Sequence, residues 1–135
     1  MVCGVVLEIE VCEVRGKCPV HKVGDKIVVD GAEIVLALTD ALCTHALSCL
    51  LHYVVALERG VDPVELGLSR LEDREHAYIQ CVDPGDPYTG GGTVVFKVQR
   101  IEKGKNLESN NFNSSGGSTG KVGERIVDGL RAKFA

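Results

Sequence analysis

Side chains that can bind a soft metal occur at three widely separated places in this chain of 135 residues. Cys18 and His21 form a Cys-x-x-His step, Cys43 lies near the start of a predicted helix, and Cys81 precedes an Asp-Pro turn. Each lies beside a predicted end of a strand or helix, so a compact fold is expected to bring the three thiols together. Thiolate and imidazole groups bind zinc or an iron–sulfur cluster, and a thiolate is also a reactive nucleophile.

The set of Cys18, His21, Cys43 and Cys81 fits two kinds of metal centre. A tetrahedral zinc ion would take all four side chains. An iron–sulfur cluster would take the three thiolates and leave one iron open to an exogenous ligand, with His21 as an optional fourth ligand. The alternative is that the thiols are small buried hydrophobic groups, because the chain lacks the Cys-x-x-Cys pairs of strong zinc motifs.

Cys43 is also the candidate catalytic residue of a thiol-dependent enzyme. The positive end of a helix dipole favours the thiolate, and His45 or His21 would supply the base of a Cys–His pair. No third orienting group is visible in the sequence. The competing interpretation is that His45, Cys49 and His52 line the side of the helix that faces away from the core.

Composition excludes several classes of function. The formal net charge is −4, which argues against a nucleic-acid-binding protein. The chain has no apolar run long enough to span a membrane and no basic segment before its first apolar residues, which predicts no membrane association and no signal peptide. We therefore expect a cytoplasmic protein whose six cysteines are thiols or ligands and do not form disulfides.

Hydrophobic periodicity predicts an α+β fold, a small, mostly antiparallel four-stranded sheet packed by one long helix. Alternating residues predict strands, and apolar residues at steps of three and four predict the helix, with Thr39 or Asp40 at its N-terminus and Gly60 after its end. Short helical turns are expected after Asp62-Pro63 and at Ser69. The predicted strands are 4–14, 26–30, 77–82 and 93–101, and the predicted helix is 40–58.

The sequence predicts a domain over residues 1–101 that is followed by a tail. Residues 102–120 are rich in Asn, Ser and Gly, which is typical of a flexible linker. Residues 121–135 return to helical spacing, so we expect a C-terminal amphipathic helix. This helix is a candidate for assembling a homo-oligomer or binding a protein partner, and such an interaction module with structural thiols is the main alternative to a metal-binding protein.

The motifs Gly16-Lys17-Cys18, His21-Lys22-Val23-Gly24-Asp25, Cys43 with Ala46, and Cys81-Val82-Asp83-Pro84 occur together and in this order. In this respect the chain, over about residues 7–101, resembles a small family of uncharacterised archaeal and bacterial proteins roughly a hundred residues long. The resemblance implies that Cys18, Cys43 and Cys81 are the family's shared cysteines. It implies no particular activity. The chain departs from the family pattern at Thr44 and Val82, where Pro is usual, and in a longer stretch over 88–92.

Overall fold

The computed structural model describes residues 4–103, which form a five-stranded antiparallel sheet with one long helix on one face. The strands lie in the order β3-β2-β1-β5-β4. Their bounds are β1 Val5–Gly16, β2 Lys26–Asp30, β3 Glu33–Ile34, β4 His76–Gln80 and β5 Gly92–Glu102; the helix α1 covers Thr44–Glu58, and a 3-10 turn covers Leu36–Leu38. The α+β class is confirmed. The predicted count of four strands is wrong, because the short strand β3 was not predicted.

The two long strands β1 and β5 pair with each other, and every second residue of each strand points to the face that the helix covers. Leu7, Ile9 and Val11 on β1 and Phe96 and Val98 on β5 point to the helix side and are almost fully buried. A bulge between Val11 and Glu13 inserts one residue into β1 and shifts its pairing near the end of the strand. The first predicted strand is confirmed and ends two residues further along than predicted. Val6 and Glu8 on its other face are buried as well, so this part of β1 is covered on both faces.

The helix α1 packs its predicted apolar stripe against this face of the sheet. Ala46, Leu50, Val54 and Leu57 are buried, and they recur at steps of three and four residues. The helix ends at Glu58. Gly60 follows as the C′ residue with a φ of 84°, which glycine readily adopts, and its N–H donates to the carbonyl of Leu57. The predicted C-terminus of the helix is confirmed.

The helix begins four residues later than predicted, because both predicted capping side chains bind β2 instead. The carboxylate of Asp40 accepts a hydrogen bond from Lys26 N–H at 2.8 Å. The hydroxyl of Thr39 accepts one from Val28 N–H at 3.2 Å and donates to the carbonyl of Val35 at 2.8 Å. Thr39 and Asp40 are thereby held against β2, and Cys43 becomes the N-cap.

The helical turns predicted after Asp62 and Ser69 are hydrogen-bonded turns and not helices. Asp62 caps Val64 N–H at 2.8 Å as predicted, but Ser69 donates to the carbonyl of Asp73 at 2.6 Å. The predicted linker 102–120 begins at the end of β5, and all but its first two residues lie outside the described residues, as does all of the predicted helix 121–135. Over residues 4–103, no helix is both long enough and apolar enough to cross a membrane.

Candidate functional site

A cavity of about 470 Å³ lies where the N-terminus of α1 meets the loops that follow β1 and β4. Its wall contains all four residues that the sequence singled out, namely Cys18, His21, Cys43 and Cys81. They come from three separate elements. All three of these cysteines therefore line one cavity.

Cys18 lies in the loop that follows β1, and its sulfur has a backbone donor. The N–H of His21 points to the Cys18 sulfur at a distance of 3.2 Å. The Cys-x-x-His step therefore folds the loop back on its own thiol.

Cys81 directly follows β4 and is buried. Its backbone N–H continues the pairing of β4 with β5 by donating to the carbonyl of Val94 at 2.9 Å. The N–H of Val94 in turn donates to the Cys81 sulfur at 3.2 Å. Two of the three sulfurs in the cavity wall thus accept a backbone N–H, the arrangement that tunes thiolates bound to metal.

Cys43 is the N-cap of α1, and its side chain makes no capping hydrogen bond. Its carbonyl accepts the first helical hydrogen bond, from Leu47 N–H at 2.9 Å. The unpaired amides and the positive end of the helix dipole are concentrated at this position. The third thiol therefore lies at the point on the helix where a negative charge is most favoured.

His21 is the buried polar group of the cavity wall, with 4% of its surface exposed. Neither ring nitrogen has a hydrogen-bond partner in the structure. The nearest acceptor is the carboxylate of Asp25, 3.8 Å from Nδ1, and the ring edge contacts Phe96 at a centroid distance of 5.2 Å. A buried imidazole without a hydrogen-bond partner is energetically costly. His21 therefore lacks a partner that a bound ligand could supply.

The environment of His21 keeps its imidazole neutral. Burial lowers the pKa of His21, and the nearby carboxylate of Asp25 offsets this only in part. Burial also opposes ionisation of Asp25, but hydrogen bonds from the Lys22 backbone and its ammonium group outweigh it and lower the pKa of that carboxyl. Neutral imidazole is the form that binds a metal.

The burial of His21 predicts that the free energy of unfolding depends on pH through this residue. Because the pKa of His21 is lower in the folded state than the ordinary value of 6.5, the unfolded chain binds more protons once the pH falls below that value. The free energy of unfolding is thus expected to decrease from pH 7 towards pH 5. Urea titrations across this range should show a shallower pH slope for His21→Leu, and an unchanged slope would contradict the prediction.

Asp83 and the glycines at 91 and 92 complete the wall next to Cys81. The hydroxyl of Thr89 and the N–H of Gly85 both donate to the Asp83 carboxylate, and they lower its pKa. Asp83 is half-buried and lies in the cavity wall. Of the glycine run 90–92, Gly92 packs against the backbone of Arg15 and Lys17, Gly91 lies against the Asp83 side chain, and Gly90 has open space around its Cα.

Gly92 is expected to tolerate no side chain, because it holds the Cys18 loop against β5. A Cβ on Gly92 would lie 2.5 Å from the carbonyl oxygen of Arg15 and 2.6 Å from the amide of Lys17, both backbone atoms. We expect Gly92→Ala to lower the free energy of unfolding by about 2–3 kcal/mol. The matched control is Gly90→Ala, whose Cβ would meet nothing within 4 Å and which should change stability by less than about 0.5 kcal/mol. Equal effects of the two variants in chemical denaturation would refute the prediction.

The remaining described cysteines do not contribute to this cavity. Cys12 is exposed, and its thiol points to the carbonyl of Val95 at 3.4 Å. Cys49 lines a separate groove with His52 and Tyr53. Among residues 4–103 all cysteines are free thiols. Of the five described cysteines, the three that line the cavity are the ones that the sequence analysis named as candidate ligands.

Two residues near the site are missing from the predicted set of cavity residues. The signal for Asp25 is its position four residues after His21. His45 was considered only as a base for Cys43 or as an exposed helix residue, and it lines the cavity. Two larger grooves of about 580 and 630 Å³ elsewhere in the described part contain no Cys or His.

The thiols share the cavity but are not drawn tightly together. Within the described residues, no three His, Cys, Asp or Glu side chains stand close enough to hold a metal ion between them. No protein-family model matches the chain, and neither a curated protein nor a solved structure matches it.

Proposed function

We propose that this protein binds an iron–sulfur cluster or a soft metal ion through Cys18, Cys43 and Cys81, with His21 as an optional fourth ligand. The observation that carries the proposal is the buried His21 ring, unpaired at both nitrogens, in the wall of a cavity that three cysteines line from separate elements. A buried imidazole gains most from a ligand that takes up its free nitrogen lone pair.

The contacts of the sulfurs support the proposal. Cys18 and Cys81 each accept a backbone N–H, and Cys43 is the N-cap of α1. Backbone N–H groups commonly donate to the sulfurs of cysteine ligands and orient them. The Asp25 carboxylate lies 3.8 Å from the Nδ1 of His21, beyond hydrogen-bond distance, and is the acidic group that would pair with this nitrogen when Nε2 binds a metal.

The room in the cavity favours a cluster over a single ion. The cavity measures about 470 Å³, and among the described residues no three acidic, thiol or imidazole side chains stand close enough to hold a single metal ion. A cluster of several iron and sulfide ions separates its thiolate ligands more widely than one zinc ion does. Reduced thiols and such a centre both suit the cytoplasmic location that we propose for the protein.

The test is to purify the full chain without oxygen and to measure its absorption spectrum, iron, acid-labile sulfide and zinc. We expect either iron with matching sulfide and visible charge-transfer bands, or about one zinc ion per chain. Protein that is folded by circular dichroism and contains neither metal, also after reconstitution with iron and sulfide or with zinc, would overturn the proposal.

A second candidate function, thiol-dependent catalysis by Cys43, is favoured by one observation. Cys43 occupies the N-cap position of α1, two residues before His45, and both residues line the cavity. In this case Cys43 is expected to react with iodoacetamide faster than Cys18 and Cys81 in metal-free protein. Peptide mapping after brief alkylation distinguishes the sites, and equal rates for all three would contradict this function.

A further inference from the structure

A groove of about 580 Å³ lies at the C-terminal end of α1, whereas the cysteine cavity lies at the other end of this helix. Apolar side chains of the helix, of the turn that follows it and of three strands line the groove. They include Leu7, Leu57, Val61, Ala77, Val98 and Ile101. Val61 is 39% exposed in this wall. The groove therefore offers apolar contacts to a further segment of protein.

The rim of the groove favours a positively charged occupant. Its charged residues are Asp62, Arg74, Glu75, Arg100 and Glu102. Both arginines already contact acidic side chains, Arg74 that of Asp62 and Arg100 that of Glu102. The guanidinium of Arg100 also donates to the carbonyl of Glu58 at 3.0 Å. The negative end of the helix dipole lies here, and the last turn of α1 contains no basic residue, so further cations are favoured.

We propose that residues 121–135 of the same chain pack into this groove as a helix. Apolar residues recur at every fourth position of this segment, namely Val122, Ile126, Leu130 and Phe134. A helix of fifteen residues that contains two glycines is at best marginally stable alone in water, so it needs an apolar surface to pack against. The groove provides this surface. The docking does not depend on whether the cysteine cavity binds a metal.

The charges of the two parts of the chain are complementary. Residues 121–135 contain four basic and two acidic side chains, which gives a net charge of +2. The whole chain has a net charge of −4, so residues 1–120 have a net charge of −6. Long-range attraction therefore favours contact between this segment and the rest of the chain.

The course of the chain favours this groove and an intramolecular contact. The strand β5 ends at Glu102, which lines the groove, so the tail starts at the groove itself. The seventeen residues 104–120 are rich in Asn, Ser and Gly, and a chain of this composition spans about 20–25 Å on average. That span allows the segment to return to the groove. Covalent attachment gives the segment an effective concentration in the millimolar range, which a second copy or another protein does not reach.

The other described surfaces fit this segment less well. The groove of about 630 Å³ has a single aliphatic side chain in its wall, that of Leu68. The groove beside Cys49 contains no acidic residue. The outer face of α1 has two exposed apolar side chains, Leu51 and Val55, and no charge. The groove at the C-terminal end of α1 combines an extended apolar wall with acidic residues.

The first experiment is carbodiimide cross-linking of the full chain in an equal mixture of ¹⁵N-labelled and unlabelled protein. The reagent joins a lysine amine to a carboxylate that contacts it. We expect Lys121 or Lys133 to be joined to Glu75 or Glu102. Mass spectrometry should find both halves of each cross-linked peptide pair in the same isotopic form, because the contact lies within one chain.

The second experiment is hydrogen exchange on the full chain and on two matched variants. We expect amides of residues 122–134 to exchange at least about tenfold more slowly than in an unfolded chain. Val61→Glu places a charge in the groove wall and should remove this protection. Val23→Glu makes the same change at a residue that is 63% exposed outside the groove, and should retain it. Circular dichroism must show that both variants are folded.

A second pair of variants changes the tail alone and leaves the folded part of the chain intact. Phe134→Glu interrupts the apolar row of the segment and should remove the protection of residues 122–134. Phe112→Glu lies outside the segment and should retain it.

Three outcomes would overturn the proposal. The first is that residues 122–134 of the wild type exchange as fast as an unfolded chain. The second is that Val61→Glu and Phe134→Glu leave the protection unchanged. The third is that the cross-linked pairs combine labelled and unlabelled peptides, because a second copy would then supply the segment.

Discussion

Replacing Cys43 by serine is expected to reduce the metal content of anaerobically purified protein at least about tenfold. Serine removes the soft anionic ligand and leaves a hard neutral hydroxyl in its place. The substitution is expected to remove a metal ligand without weakening the fold. Cys43 is the N-cap of α1 and makes no capping hydrogen bond there, whereas serine is among the preferred N-cap residues. The variant should therefore be at least as stable as the wild-type apoprotein.

The matched controls for this substitution are Cys12→Ser and Cys49→Ser. Cys12 is exposed, and Cys49 lines a different groove, so neither change alters the cavity wall. Both variants should keep the iron or zinc content of the wild type. Elemental analysis and the visible spectrum of all four proteins provide the comparison. If folded Cys43→Ser retains as much metal as Cys12→Ser, then Cys43 is not a ligand.

Replacing Phe96 by alanine is expected to cause the largest loss of stability among single substitutions, about 3–5 kcal/mol. Phe96 lies on β5, next to the central strand β1, is fully buried, and is the largest of the fully buried side chains in residues 4–103. Its removal leaves a cavity in the core and takes away the ring that contacts His21 edge to face. Small domains are stable by only about 5–15 kcal/mol, so the loss is a large share of the total.

Guanidinium titration of the apoprotein measures this loss directly. Phe96→Leu keeps most of the apolar volume and should lose clearly less stability than Phe96→Ala. Tyr88→Ala is the surface control, because Tyr88 is 81% exposed and should shift the free energy of unfolding by no more than about 0.5 kcal/mol. A loss below about 1.5 kcal/mol for Phe96→Ala would show that β5 is not the centre of the core.

Local patterns in the sequence were sufficient to predict β1 and α1, whose apolar residues form the core between the sheet and the helix. The alternation of Leu7, Ile9 and Val11 and the stripe of Ala46, Leu50 and Val54 depend on the period of a strand or helix, which neighbouring residues alone define. Turn residues placed the ends of these elements to within a few positions. Since Cys18, Cys43 and Cys81 lie next to such ends, the sequence also predicted that they line one cavity.

The tertiary structure decided the features that depend on partners far along the chain. The start of α1 is determined by the bonds of Asp40 and Thr39 to β2, which lies more than ten residues earlier. The strand β3 has two residues, too few to show alternation, and forms only because it pairs with β2. The burial of His21 and its lack of a hydrogen-bond partner arise from packing against β5, since solvent exposure is set by the whole fold and not by local spacing.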